Sequence, residues 1–264
     1  MILKNVLQQL ATVSGVLVLG LVVGSGFNSP AQASSQPALR DQNLSLPQKV
    51  SEAFQPPDRG APPSTADGGA RGSCGLYKPG EKVLTALTPM NSLAMTVSDF
   101  PTFLWYVPKS SANTLEFTMR DETDQEVIYK TQLAMPSQAG IVSFSLPAGA
   151  LPPLEVGKMY HWYLAIVCDP DDRSGDTVVD GWIERTKVSQ TVANKLKNAP
   201  INELPSIYAR EGIWHEAVAS LAQLRRNNPQ DLTLISRWEE LLNSVQLGNF
   251  AQEPLVEDRQ ISQE

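Results

Sequence analysis

The residue types that carry most protein chemistry are few in this chain. Its 264 residues include two cysteines and two histidines, too few for a zinc ribbon, a zinc finger or an iron–sulfur module. His215-Glu216 has no second histidine at the spacing of a zinc-binding helix, and we expect this pair on a solvent-facing helix surface. The sequence has no phosphate-binding glycine loop, dinucleotide fingerprint or nucleophile elbow. We therefore predict no catalytic residue and no cofactor.

The stretch from Asp169 to Asp176, Asp-Pro-Asp-Asp-Arg-Ser-Gly-Asp, is the best candidate for a metal site. Calcium binds clustered carboxylates and carbonyl oxygens, which makes Asp169, Asp171 and Asp176 its candidate ligands. Arg173 stands where an EF-hand loop has its third ligand, and no Glu follows at the twelfth position. We therefore favour a polar turn between the last two strands and predict no metal.

The two cysteines, Cys74 and Cys168, are predicted to form a structural disulfide. A single pair of thiols in an exported protein is more often oxidised than free. Cys168 falls on the inward face of a predicted strand, and Cys74 lies at the entrance to the predicted domain, so the bond would tie the end of the linker to the sheet. Closing this loop stabilises a fold by about 4–5 kcal/mol in the chain-entropy account. A catalytic thiol needs a neighbouring base, and His161 is predicted on the opposite strand face.

Residues 1–33 have the three parts of a secretory signal peptide. Lys4 precedes an apolar run from Val13 to Val23, and Ala31-Gln32-Ala33 fits the cleavage rule. The run is shorter than the roughly 20 apolar residues of a spanning helix. We expect cleavage, no stable membrane insertion, and export to the periplasm or cell envelope, with secretion and the thylakoid lumen as alternatives.

The amino-acid composition limits the classes of protein to which the chain can belong. The chain is 42% hydrophobic, which is typical of a globular protein, and its net charge of −7 argues against nucleic-acid binding. In residues 34–72, Pro, Gly and Ser occupy 15 of 39 positions. Such a segment buries little apolar surface, so we predict a disordered linker.

Residues 73–188 have the alternation of β-strands. Leu115, Phe117 and Met119 alternate with polar residues, and turn signals separate seven or eight such runs. We predict a mainly β fold, an antiparallel sandwich of the immunoglobulin or fibronectin type III kind. Leu154-Glu-Val-Gly-Lys-Met-Tyr160 resembles the tyrosine corner of those folds, and Pro101-Thr-Phe-Leu-Trp105 resembles their third strand with its core tryptophan.

Helical spacing begins after Lys187. Tyr208-Ala-Arg-Glu-Gly-Ile-Trp-His-Glu-Ala217, with the later Pro229, resembles one tetratricopeptide-type helical hairpin. A further helix is predicted to start at Asn228-Pro229 and to end at Gly248. Residues 189–250 thus form a small α-helical region, and 251–264 a flexible acidic tail.

Apolar residues also occupy the expected outer faces of two strands. In an immunoglobulin-like order, strands 102–107 and 159–168 are neighbours. One outer sheet face then needs a cover, either the chain's own helices or a partner protein. The candidate interface residues are Leu104, Tyr106, Tyr163, Val167 and Trp182.

Several motifs occur together in one order: Gly72-Ser-Cys-Gly75, Leu84-Thr-Ala-Leu-Thr-Pro89, Pro101 to Pro108, Leu154 to Asp169, and Gly181-Trp-Ile-Glu-Arg185. The combination resembles the cyanobacterial family described as domain of unknown function 928, over about residues 70–250. That resemblance implies an exported protein and transfers no catalytic residue.

These observations leave three hypotheses. The first is a non-catalytic envelope binding or adaptor module with a protein partner. The second is a carbohydrate-binding module that holds envelope glycan on Trp182 or Tyr163. The third is a hydrolase of an envelope polysaccharide, which needs a cleft with two carboxyl groups about 5–10 Å apart.

Overall fold

The computed structural model describes residues 51–59 and 80–256 of the chain. This part of the chain is rich in β-structure and has a helical C-terminal part, as predicted. Its strands are β1 (Thr85–Ala86), β2 (Ala94–Thr96), β3 (Thr102–Val107), β4 (Thr114–Arg120), β5 (Val127–Ala134), β6 (Gly140–Ser145), β7 (Met159–Val167) and β8 (Thr177–Arg185). Its helices are α1 (Gln190–Asn198), α2 (Leu204–Arg210), α3 (Trp214–Asn227) and α4 (Leu232–Ser244).

The strands form two sheets. One has the order β1-β3-β6, and the other has the order β2-β8-β7-β4-β5. The prediction of purely antiparallel pairing is wrong for one pair, because β2 runs parallel to β8, with Ala94 opposite Ile183. Alternation in the sequence specifies which residues share a face, but it carries no information on the direction of the partner strand.

A cluster of aromatic rings joins the inner faces of the two sheets. The Phe103 and Trp105 rings of β3 both lie 5.7 Å from the Trp162 ring of β7, and Phe103 lies 5.2 Å from Phe117 of β4. Trp105 is fully buried, as predicted for a core tryptophan. The expectation that β3 and β7 are neighbours in one sheet is wrong, because they face each other across this core.

The predicted tyrosine corner forms before β7. Gly157 has a φ of +83°, a conformation that favours glycine. The backbone N–H of Glu155 donates to the Tyr160 hydroxyl over 2.9 Å. Leu154 is buried beside this turn. The seven-residue motif therefore specifies its local structure correctly.

The helices follow the predicted order, but α4 begins later than expected. Asp231, rather than Asn228, caps it, because the Asp231 carboxylate accepts hydrogen bonds from the backbone of Thr233 and Leu234. The helix ends at Ser244, and Gly248 opens a short 3-10 turn beyond it. Both boundaries shifted because several residues near each end have the chemistry of a cap, and packing selects among them.

Two segments that were predicted as linker and tail are packed onto the fold. Ser51–Arg59, which we call the strap, lies on the helices, with Phe54 buried. At the other end, Ile141 of β6 donates its N–H to Pro254 over 2.7 Å and accepts from Val256 over 2.8 Å. The linker and tail predictions are therefore wrong for residues 51–59 and 251–256. Local composition cannot reveal bonds to residues far away in sequence.

The proposed signal peptide lies outside the described residues. Within residues 51–59 and 80–256, every helix is too short or too polar to cross a bilayer.

Candidate functional site

The five candidate interface residues lie on two different surfaces. Leu104 and Tyr106 are on the outer face of the three-stranded sheet, where they belong to one apolar cluster with residues of α3 and α4. The Tyr106 ring lies 5.1 Å from the Phe250 ring, just after α4. The chain's own C-terminal part therefore covers this face. The other three candidates, Tyr163, Val167 and Trp182, lie on the outer face of the five-stranded sheet.

That second face carries an open groove of about 590 Å³, which we call the outer groove. Strands β4 and β7 form its floor, because alternate residues of paired strands share one face. The turn after β4 and the loop between β7 and β8 form its walls. The lining residues are Glu116, Thr118, Arg120, Asp124, Tyr163, Ala165, Arg173, Ser174, Asp176 and Val178.

Arg173 is held between two carboxylates at one end of the outer groove. Its Nη2 lies 3.1 Å from Glu116 Oε1, and its Nε donates to Asp176. Lys130 Nζ of β5 lies 3.2 Å from the other Glu116 oxygen. Burial acts to raise the pKa of Glu116, but hydrogen bonds from Arg173 and Lys130 outweigh it and leave the pKa below its usual value. Glu116 is therefore an ionised acceptor at neutral pH.

Two of the three calcium candidates, Asp176 and Asp169, accept hydrogen bonds within the β7–β8 loop, and the third, Asp171, donates its backbone N–H. Asp176 accepts from the backbone N–H of Cys168 over 3.0 Å and also pairs with Arg173. Asp169 accepts from the backbone of Asp171 over 2.9 Å, as in an Asx turn. Across the described residues, no three His, Cys, Asp or Glu side chains are grouped so as to hold a metal ion. The loop has the hydrogen bonds of a polar turn.

A network around His161 closes the other end of the outer groove. His161 Nε2 lies 2.8 Å from Asp180 Oδ2, and its Nδ1 lies 2.8 Å from the Tyr163 hydroxyl. That hydroxyl donates to Asp124 over 2.8 Å. Burial and the bond to Asp124 raise the pKa of Tyr163, so the phenol stays neutral. Trp182 is 9% exposed and stacks on His161 at 4.2 Å, so it offers little open ring surface.

Sequence reasoning placed His161 and Tyr163 on the outer face but missed this network. Asp124 comes from the β4–β5 turn and has a φ of +57°, and Asp180 comes from β8, opposite Tyr163. Only the pairing register brings these residues together. A signal was present in the short spacing of polar residues on β7 and β8, but it did not specify which side chains meet.

The expectation that His215 faces solvent is wrong. Its side chain is 2% exposed, its ring lies 5.1 Å from Phe103, and its Nδ1 lies 3.1 Å from the Thr102 carbonyl oxygen. Burial lowers the pKa of His215 to about 4, so the neutral ring donates to that oxygen.

The neighbouring Glu216 is also bound within the fold. It accepts from the Thr96 hydroxyl over 2.5 Å and from the backbone N–H groups of Val97 and Ser98. His215 and Glu216 therefore join α3 to β3 and to the end of β2. The prediction of a solvent-facing pair fails because α3 is packed on more than one side.

Cys168 directly follows β7, beside the loop that carries Arg173 and Asp176. Its predicted partner, Cys74, lies outside the described residues. The Cys74–Cys168 disulfide therefore stays a prediction.

Comparisons with known proteins give one family match. The family model described as Domain of Unknown Function (DUF928) matches residues 66–255. No curated protein matches the chain. Among solved structures, astrotactin-2, described as a conserved vertebrate-specific and perforin-like membrane protein involved in neuronal development, shares 14% identity at a TM-score of 0.27. That match covers 64% of this chain and 34% of astrotactin-2, and at this TM-score it carries no argument.

Proposed function

The chain belongs to the DUF928 family, and we propose that it is a non-catalytic binding module that holds a neutral, hydroxyl-rich glycan in its outer groove. The setting is the cyanobacterial cell envelope, reached through the signal peptide. The fold that presents the groove is the immunoglobulin-like or fibronectin-like sandwich that the sequence favours. A tyrosine corner and two sheets with a shared core support that assignment.

The charge balance of the outer groove is the observation that carries this proposal. Three carboxylates, Glu116, Asp124 and Asp176, stand against the cations Arg120 and Arg173 in the lining and Lys130 beside it. A site whose charges balance does not attract anions or cations strongly. It does offer many fixed acceptors and donors, and hydroxyl groups can bind to both. A neutral sugar polymer has this chemistry.

The lining side chains are also held in place before any ligand arrives. Glu116 and Asp176 hold Arg173 from two directions, while Asp124 accepts from Tyr163. Binding to side chains that are already ordered costs less conformational entropy than binding to mobile ones. Tyr163 adds an aromatic ring next to these polar groups, as is common in small-ligand sites.

A hydrolase is the less favourable interpretation of the same groove. Glycoside hydrolysis needs a carboxylic acid whose pKa is raised so that it can donate a proton. Hydrogen bonds from Arg173 and Lys130 instead lower the pKa of Glu116. Both carboxylate oxygens of Asp176 accept hydrogen bonds, one from the Arg173 guanidinium and the other from the Cys168 backbone N–H. These carboxylates support binding rather than proton transfer.

A partner protein on the apolar outer face, our first sequence-based hypothesis, has less support. That hypothesis needed Leu104, Tyr106 and Tyr163 on one surface. The first two are buried beneath the chain's own helices. The glycan hypothesis keeps Tyr163 as a contact and replaces Trp182 with Arg173 as the second one.

Affinity electrophoresis of the chain without residues 1–33 tests this function. Gels would contain purified peptidoglycan fragments or neutral soluble polysaccharides, one polymer in each gel. We expect at least one polymer to retard the wild-type chain, and Arg173→Ala to weaken the retardation about tenfold, as expected for the loss of a charged hydrogen-bonding group. Arg210→Ala, at an exposed position at the end of α2, is the matched control and should bind like wild type.

Two results would refute the proposal. One is that no polymer retards the folded wild-type chain. The other is equal retardation of wild type and Arg173→Ala, which would place any glycan site elsewhere.

A further inference from the structure

The strap, Ser51–Arg59, has the contacts of a bound peptide. It has no regular secondary structure, yet its residues contact three helices. The Gln55 N–H donates to the Ala209 carbonyl of α2 over 2.9 Å. The Phe54 N–H donates to the Ser244 hydroxyl of α4 over 3.0 Å. The surface between α2, α3 and α4, which we call the helical cleft, therefore binds a segment without regular secondary structure, in part through its backbone.

Two side chains anchor the strap in the helical cleft. Glu52 is fully buried, and its Oε1 accepts from the Ser206 hydroxyl over 2.6 Å and from the Arg237 guanidinium. The Phe54 ring packs edge-on against Trp214 of α3 at 5.1 Å. Without a carboxylate at this position, Arg237 and Ser206 would lose a partner in a buried setting, which is costly. The cleft therefore selects an acidic residue two positions before an aromatic one.

The strap does not fill the space available to it. A cavity of about 130 Å³ remains beside Phe54 and Pro56, bounded by Met90 and Val245. Gly212, where the chain turns from α2 to α3, allows the strap to approach, because a Cβ there would lie 3.1 Å from the Gln55 carbonyl oxygen. A segment with a larger aromatic residue could use the unfilled volume.

We propose that the helical cleft is a docking site for a segment of a partner protein, and that the strap is its occupant within this chain. The partner segment carries the pattern acidic–any–aromatic, which Glu52-Ala53-Phe54 displays. The strap is joined to the rest of the fold through residues 60–79. A tethered segment has an effective concentration on the order of millimolar, so a partner at micromolar concentration binds only where the strap is weakened, displaced or outcompeted.

A cleavable chain tests the proposal without altering the cleft. A protease site inserted within residues 60–72, before Cys74 so that the predicted disulfide cannot tether the strap, is cut after the full chain has folded. A fluorescent peptide with the sequence of residues 50–59 is then added, and its anisotropy is measured. We expect the peptide to exchange into the cut chain at micromolar concentration and to bind the uncut chain at least about tenfold more weakly. Peptides with Glu52→Ala or Phe54→Ala should fail to bind.

A second set of variants tests the same site in the uncut chain. Glu52→Gln combined with Phe54→Ala weakens both anchors and should allow the wild-type peptide to bind. Gln55→Ala is the matched control, because Gln55 contributes its backbone while its side chain is exposed. That control should exclude the peptide as wild type does.

Three results would overturn the proposal. The first is a cut chain that never exchanges its strap for a large excess of peptide. The second is a cut chain that releases its strap but does not bind the peptide. The third is a dimer in light scattering that exchanges straps between copies, which would make a second copy of this chain the partner. None of these results bears on glycan binding, because the outer groove and the helical cleft share no residue.

Discussion

Gly140 is a single residue on which the C-terminal attachment depends. A Cβ at this position would lie 2.6 Å from the Pro254 carbonyl oxygen and closer still to the Val256 side chain. Real Cβ contacts do not become this short, so residues 254–256 would have to move away from β6. We expect Gly140→Ala to lower the free energy of unfolding by about 1–3 kcal/mol, the usual cost of overpacking.

Urea denaturation followed by tryptophan fluorescence measures this change. Gly175→Ala is the matched control, since a Cβ there would meet only Cys168 Cβ, at an ordinary 3.9 Å. Equal stability of the two variants would show that residues 254–256 do not depend on a close approach at Gly140.

His215 makes the stability of the fold depend on pH. Burial lowers its pKa from the usual 6.5 of a histidine to about 4 in the folded chain. Because the unfolded chain takes up this proton first, the stability from the neutral ring is complete above pH 6.5 and is lost as the pH falls towards 4. For these two pKa values the loss between pH 7 and pH 5 is about 2 kcal/mol.

Replacing His215 with Asn tests this dependence, because the Asn amide can still donate to the Thr102 carbonyl. We expect the variant to lose less stability than wild type between pH 7 and pH 5 in urea titrations. Burial raises the pKa of neighbouring Glu216, whose contribution is lost as the pH rises, but that contribution is common to both proteins. Parallel pH profiles would show that His215 is not the titrating group.

Two residues near the start of α4, Asp231 and Asn228, are candidates for its N-cap, and the structure assigns the cap to Asp231. The Asp231 carboxylate accepts from the Thr233 N–H over 2.8 Å and from the Leu234 N–H over 3.3 Å. We expect Asp231→Ala to lower the free energy of unfolding by about 1 kcal/mol, as for other lost caps. Asn228→Ala, at the cap that the sequence favoured, should cost less. The reverse order in thermal or urea unfolding would contradict this assignment.

The sequence predicts the strands of this protein better than their arrangement. Alternation identified β4 through Leu115, Phe117 and Met119, because one face of each strand must be apolar. The tyrosine corner was also readable, since Gly157 and Tyr160 act within a few residues of each other. The parallel pairing of β2 with β8 was not readable, because hydrogen bonds between backbones are independent of side-chain pattern.

The same limit applied to the candidate site. The sequence identifies Tyr163 from its place on an outer face, but it presents Arg173 only as a residue that interrupts a calcium loop. Its role depends on Glu116, which is 57 positions away and comes close only through β4–β7 pairing. Glu52 and Arg237 show the same principle at a larger separation. Partners this distant cannot be predicted from local spacing.

At the scale of the whole molecule, the two sheets have different outer surfaces. The helices and the C-terminal segment cover the three-stranded sheet with apolar contacts, including Leu104 and Trp214. The five-stranded sheet has paired charges and an open groove on its outer face. The first arrangement stabilises the fold, and the second leaves a structured polar surface for a ligand. This division separates structural residues from candidate binding residues.

The most direct test of the glycan-binding account is an NMR titration of the isotope-labelled chain with soluble oligosaccharides from the polymer that binds it. If the outer groove binds the glycan, we expect progressive shifts in the backbone amides of Glu116, Thr118, Tyr163 and residues 173–176, with little change in α2–α4. Shifts confined to the helices, or no shifts at oligosaccharide concentrations that saturate binding in the gels, would contradict it.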